Sequence, residues 1–151
     1  MKTKFSKRPG LISIDHYDNN VERCWIINGK KEYKIILEFA SFELEKSKRC
    51  SRDFLRIIGS DDRRAVDMCD RSATPWNNPQ ILGDYCGSQL KNHLFVLPAG
   101  VGCTIDFCSD AFRKYNGFTM HYKYEKVSSE VKDNLIVKLS KKEQKNKKTI
   151  S

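Results

Sequence analysis

The stretch from Ile35 to Ile57, I-I-L-E-F-A-S-F-E-L-E-K-S-K-R-C-S-R-D-F-L-R-I, constrains this chain more than any other. Ile35, Leu37 and Phe39 recur at every second position, which predicts a half-buried strand. A loop carrying Glu45, Cys50 and Asp53 follows, and Leu55 and Ile57 then resume the alternation. The stretch reads as strand, turn, strand, with two carboxylates and a cysteine between the strands. A sheet with one apolar face must bury it against a second layer.

The same period recurs along the chain. Gly10 to Tyr17 reads as an opening strand and loop. Cys24 to Ile27 is predicted to meet Tyr33 to Phe39 in a hairpin, because Asn28-Gly29 suits the positive φ angles of a tight turn. Trp25 and Ile27 then face the core, and Cys24 the opposite side. Phe54 to Ile58 is a further strand, and Gly59 to Asn78 a long polar surface loop that Cys69 can staple. Ile81 to Gly87 returns the chain to the body, and Leu94 to Leu97 makes a short strand. Cys103, Ile105 and Phe107 point inward, while Thr104, Asp106 and Cys108 point away. After a turn at Asn116-Gly117, Phe118, Met120, Tyr122 and Tyr124 close the core face. Short strands at this spacing predict an all-β sandwich or barrel.

The 151 residues suffice for one domain with a substantial core, and no apolar run approaches the ~18 residues of a membrane span. The net charge of +9 is concentrated at the ends. Lys2, Lys4, Lys7 and Arg8 precede Pro9, and eight lysines follow from Lys126 onward, leaving a balanced body. A nucleic-acid reader carries its charge on the folded face, so no nucleic acid is expected. Val127, Val131, Leu135 and Leu139 recur at helical spacing, and the lysine-rich residues from Ser140 onward read as disordered. The expected organisation is a basic segment over 1–9, one domain over 10–125, and a flexible basic tail or truncated linker over 126–151.

Six cysteines with no C-x-x-C pair point to disulfides in an oxidising compartment rather than to zinc or redox chemistry. Cys103 and Cys108 cannot bond each other along an extended strand, because five residues span about 16 Å against roughly 6 Å between bridged Cα atoms. Met1 to Gly10 has no apolar signal-peptide core, so a secretory segment is expected to have been lost with a fragment. There is no Gly-Asp-Ser-Gly-Gly loop and no His-Glu-x-x-His motif, which speaks against catalysis within these residues.

Several motifs in order resemble the CUB domain family: Trp25-x-Ile27, then Ile35-x-Leu37-x-Phe39-x-x-Phe42-x-x-Glu45, then Cys50-x-x-Asp53-x-Leu55-x-Ile57. Tyr85-Cys86-Gly87, Phe107-x-Ser109-Asp110, and Gly117-Phe118 with Tyr122 continue the series over about residues 10–125. The resemblance implies a jelly-roll-like β-sandwich, extracellular and non-catalytic, used as a protein-binding module and often set beside protease modules. It pairs Cys50 with Cys86, with Cys50–Cys69 as the alternative, since the interval to Cys86 is longer than the family's. The family's first cysteine has no counterpart, which leaves three pairings open among Cys24, Cys69, Cys103 and Cys108.

The resemblance also implies a calcium site. Glu45, Asp53 and Asp110 match the family's metal-binding carboxylates, and Tyr17 matches a tyrosine that supports them. Calcium takes six to eight hard oxygens, a demand that carboxylates, carbonyls and water can meet. The competing expectation is that each acid pairs with a neighbouring base, and Lys46, Lys48, Arg49, Arg52, Arg113 and Lys114 are at hand. Such a basic rim, with Arg52, Arg113 and Lys114 foremost, predicts weakened calcium binding and an acidic protein partner. The alternatives are a fragment of a larger CUB-bearing protease, and a binder of polyanionic glycans through the basic ends.

Overall fold

A computed structural model describes residues 2–5, 10–17, 19–110, 115–127 and 137–140, with only the backbone of the first and last segments. The alternating segments become ten strands in two five-stranded sheets. One sheet has the order β1 (Lys2–Phe5), β3 (Glu22–Ile27), β8 (Cys103–Cys108), β5 (Phe54–Ile58) and β6 (Ile81–Tyr85). The other has the order β10 (Val137–Ser140), β7 (His93–Leu97), β4 (Tyr33–Glu43), β9 (Gly117–Lys126) and β2 (Gly10–Asp15). All pairings are antiparallel except β1 with β3. The expected β-sandwich is present.

Between the sheets lies one apolar core. Trp25, Ile27, Leu55, Ile57, Cys103, Ile105 and Phe107 meet Ile12, Ile35, Leu37, Phe39, Phe118 and Met120. Phe118 is the hinge of this packing, with Trp25 edge-on at 5.9 Å and Phe107 at 6.0 Å between ring centroids. Such aromatic contacts add to the area effect of burial.

The hairpin expected at Asn28-Gly29 does not form. β3 pairs with β1 and β8, and β4 with β7 and β9, so the chain crosses from one sheet to the other between them. The local turn lies later, at Lys30 to Tyr33, with Glu32 at φ 71°. Trp25 and Ile27 can thereby pack face to face with the β4 residues rather than beside them. The stretch from Ile35 to Ile57 is likewise no hairpin, since β4 and β5 belong to opposite sheets and the loop between them spans one end of the sandwich.

Asn116-Gly117 does turn the chain, into β9. Gly117 has φ +93°, and a Cβ there would stand 1.9 Å from the Ile14 carbonyl oxygen. Only glycine meets both demands.

Two strands lie outside the span 10–125. Lys2–Phe5 runs parallel to β3, and Val137–Ser140 pairs with β7. The helical spacing of Val127, Val131, Leu135 and Leu139 is compatible with a short amphipathic helix, yet Val137 to Leu139 are extended. A short isolated helix is marginal in water, whereas the open edge of β7 supplies backbone partners. Most of the remainder of 126–151 lies outside the described residues.

The loop between β5 and β6 covers the outer face of the first sheet. Cys69 is bonded to Cys108, and Cys50 to Cys86. Cys24 and Cys103 are free and buried, on neighbouring strands but on opposite faces, which keeps them apart.

Candidate metal site

Four chain segments end at the same edge of the sandwich. Tyr17 follows β2, Glu45 follows β4, Asp53 precedes β5 and Asp110 follows β8. One carboxylate oxygen from each of Glu45, Asp53 and Asp110 lies within 4.8 Å of the others. Glu45 and Asp53 are buried and Asp110 is half-buried. The three acids expected from sequence are therefore brought together, and Tyr17 with them.

Tyr17 is the floor of the cluster. Its ring is buried against Phe107, edge-on at 4.8 Å, and its hydroxyl donates to Asp53 Oδ2. The Tyr17 hydroxyl oxygen in turn accepts the Glu45 backbone N–H at 3.3 Å. Burial first, and then the bond to Asp53, hold the phenol above its ordinary pKa, so it stays a neutral donor. Asp53 Oδ1 accepts the Asp110 N–H at 2.8 Å. The carbonyl oxygen of Asp110 is held in turn by the Asn20 N–H, at 2.8 Å.

Asp53 is fully buried and meets no basic side chain within ion-pair distance among the described residues. Its two hydrogen-bond donors are neutral. Burial pushes its carboxyl above the usual range; the two hydrogen bonds oppose the shift, and the neighbouring charge of Asp110 adds to it. Like charges crowded this closely in a desolvated place favour either a proton or a bound cation. The donor set, three carboxylates with fixed orientation, is hard-oxygen chemistry and fits calcium.

Among the described residues, Arg52 reaches the cluster. Arg52 Nη1 lies 3.5 Å from Glu45 Oε2, with the arginine side chain 48% exposed. The Arg52 N–H donates to Ser47 Oγ at 3.1 Å, which fixes the loop beneath it. Lys46, Lys48 and Arg49 are exposed on the same loop, and Arg49 adopts φ 54°. Arg113 and Lys114 lie outside the described residues. The Cys50–Cys86 disulfide closes the base of this loop, its Cα atoms 5.4 Å apart.

Sequence reasoning missed a second group of buried charge, on the outer face of the first sheet. Arg56, 1% exposed, forms a fork with Asp84 at 2.7 and 3.0 Å. It also donates to the Asp70 and Ala73 carbonyls, each at 2.8 Å. In register beside it stand Asp106 and then Cys24. The alternation of β5 and β8 had put both Arg56 and Asp106 on this face, but nothing in the pattern showed that a loop would cover them.

The family model of the CUB domain matches residues 3–122. The chain belongs to the CUB domain family. Cubilin of Rattus norvegicus is 29% identical over 108 residues, 71% of this chain and 2% of that protein. The human tumor necrosis factor-inducible gene 6 protein is 28% identical over 116 residues, 77% of this chain and 35% of that one. The chain thus spans a small part of the relatives it matches. Among solved structures, the CUB1-EGF-CUB2 domains of rat MASP-1 superpose with a TM-score of 0.63 at 21% identity, over 85% of this chain and 44% of that one. The MASP-1 CUB2 domain bound to Ca2+ superposes with a TM-score of 0.53 at 18% identity, over 80% of this chain and 96% of that one. CUB domains are generally non-catalytic protein-interaction modules of extracellular proteins. No helix among the described residues is long and apolar enough to cross a membrane.

Proposed function

We propose that this CUB domain is an extracellular, non-catalytic protein-binding module whose binding edge is organised by calcium. Glu45, Asp53 and Asp110 are the ligands, and Tyr17 orients Asp53 from below. The observation that carries this reading is the convergence of three carboxylates within 4.8 Å over a buried tyrosine. When bound, calcium supplies positive charge that ties the ends of β4, β5 and β8 together. The chain's own residues do the rest: the Asp110 N–H and the Tyr17 hydroxyl hold Asp53 in place, and Phe107 holds the tyrosine ring.

Arg52 competes for the same charge, and Lys46, Lys48 and Arg49 surround it. This rim favours a protein partner that presents carboxylates, with Arg113 and Lys114 as further contributors. The polyanion reading rests on the basic ends, which lie mostly outside the described residues. The decisive experiment is thermal melting in millimolar calcium and in chelator. A rise in Tm with calcium that Asp53→Asn removes supports the site; equal curves for the parent protein would remove calcium from it. Acidic and lysine-bearing peptides, compared in the presence of calcium, then test the rim. Tighter binding of the lysine peptide would reverse the partner assignment.

A further inference from the structure

Three pairs of basic residues in this chain end in arginine: Lys7-Arg8, Lys48-Arg49 and Arg63-Arg64. They differ in how readily a protease can draw them out as an extended strand. Arg8 is followed by Pro9, whose ring and missing N–H do not suit that extended binding. Arg49 and Cys50 both have left-handed backbones, at φ 54° and 50°. The Cys50 N–H donates to the Ser47 carbonyl and the Ser51 N–H to the Lys48 carbonyl, and the Cys50–Cys86 bond closes the loop behind them. Straightening that segment pulls against a covalent tie.

Arg63 and Arg64 open a short 3-10 turn on the loop after β5. Asp61 to Arg64 are all exposed, and the Arg64 side chain is 89% accessible. Asp62 caps the turn by accepting the Arg64 N–H at 3.0 Å, and the Ala65 N–H donates to the Asp62 carbonyl at 3.0 Å. The Asp62 N–H donates in turn to Ser60 Oγ. Arg64 also meets the Asp62 carboxylate at 3.1 Å, an exposed pair that holds weakly. Among the described residues, the hydrogen bonds of Asp62 to Ala65 thus all close within Ser60 to Ala65. Local opening asks little more than lifting Ala65 and Val66 from Ile58 and Ile81.

Both flanks of this segment are fixed. The Ser60 carbonyl accepts the Thr104 hydroxyl at 2.7 Å, and Asp61 Oδ2 accepts the Gly29 N–H at 2.8 Å. Beyond Ala65, Cys69–Cys108 bonds the loop to β8, and Arg56 donates to the Asp70 and Ala73 carbonyls. Reciprocal bonds between Thr74 and Asn77 hold even the tip that carries the exposed Trp76. An exposed, locally bonded segment between fixed flanks is where a folded domain is nicked without coming apart.

We propose that the Arg64–Ala65 bond is a processing site for an endoprotease that cuts after basic pairs ending in arginine. Water adds across the amide, leaving a carboxylate on Arg64 and an ammonium group on Ala65. The product is a domain of two chains, 1–64 and 65–151, joined by Cys50–Cys86. Cys69–Cys108 lies wholly within the second chain and adds no link. β5 runs from the carboxylate edge to the opposite end of the sandwich, so the cut leaves Glu45, Asp53 and Asp110 in place.

The test is timed digestion of the folded full chain, disulfides intact, with an endoprotease of that selectivity. Intact mass is read in parallel with gels run with and without reductant. The first product gains one water, stays whole without reductant and separates into 1–64 and 65–151 with it. Arg64→Gln stays uncut over the same period, and Arg63→Ser, which breaks the pair, is cut severalfold more slowly. Arg49→Gln is cut at the parent's rate. A first cut at another bond, or a chain cut after Arg64 only once urea has unfolded it, would each overturn the proposal. So would a product that falls apart without reductant, since Cys50–Cys86 would not then join the two chains.

Discussion

Among the described residues, two clusters of buried charge stand out, and they are balanced in opposite ways. Under the β5–β6 loop, Asp106 and Asp84 flank Arg56, whose guanidinium makes four hydrogen bonds, to one carboxylate and two carbonyls. At the strand ends, Glu45, Asp53 and Asp110 crowd together, and among the described residues the half-exposed Arg52 lies 3.5 Å from Glu45. Burial raises the carboxyl pKa of both Asp53 and Asp106. Around Asp106, the Cys24 thiol, the Cys69 N–H and the charge of Arg56 all work against the rise. Around Asp53, the nearest charge is another carboxylate, and it adds to the rise. A carboxylate whose cation is built into the fold is structural; one crowded by its own kind calls for a cation from outside.

Removing Arg56 is the severest way to probe the contrast. Arg56→Met strands two acids and two carbonyls under the loop, and a loss of about 3–5 kcal/mol in urea unfolding is expected. A loss below ~1 kcal/mol would mean that water already enters beneath the loop, and the two clusters would no longer differ in kind.

The strand-end cluster makes the opposite prediction. Calcium at a hundredfold excess over its dissociation constant adds about 2.7 kcal/mol to the parent protein. Asp53→Asn loses that increment, yet in chelator it is no less stable than the parent at neutral pH. The sign follows from linkage. A raised folded pKa gives stability that is complete below the unfolded value of 3.8 and is lost as pH rises through the folded value. The relative advantage of Asp53→Asn in chelator therefore shrinks as pH falls toward 4, and a gap that widens on acidification would contradict the assignment. Calcium titrated against pH sharpens the same point, since binding weakens as Asp53 takes up a proton.

Arg52→Gln is the mildest probe. Exposed ion pairs contribute roughly 0.2–1 kcal/mol, so global stability should barely move while calcium affinity rises by up to about fivefold in titration calorimetry. Unchanged affinity would show that the arginine is a bystander at the cluster.

Much of this site was legible in the chain. The positions of Glu45, Asp53, Asp110 and Tyr17 followed from a family resemblance, and the alternation in β8 set Cys103 and Cys108 on opposite faces. The Asn28-Gly29 hairpin was misread because alternation specifies which face of a strand is apolar, not which sheet the strand joins. The Cys69–Cys108 pairing and the buried position of Arg56 were hidden for a related reason: both depend on where the β5–β6 loop lies, and its polar composition reads as solvent-exposed.

By itself the sequence determined the period-2 pattern, the inward and outward sides of each strand, and the side chains available at the strand ends. Those are local consequences of backbone geometry. Only the tertiary structure decided that β3, β4 and β5 cross between sheets, that three separated carboxylates converge over Tyr17, and that Arg56 is covered while Trp76 is left outside. Each of these depends on contacts between distant segments, and the packing of two sheets selects among arrangements that the same alternation allows equally.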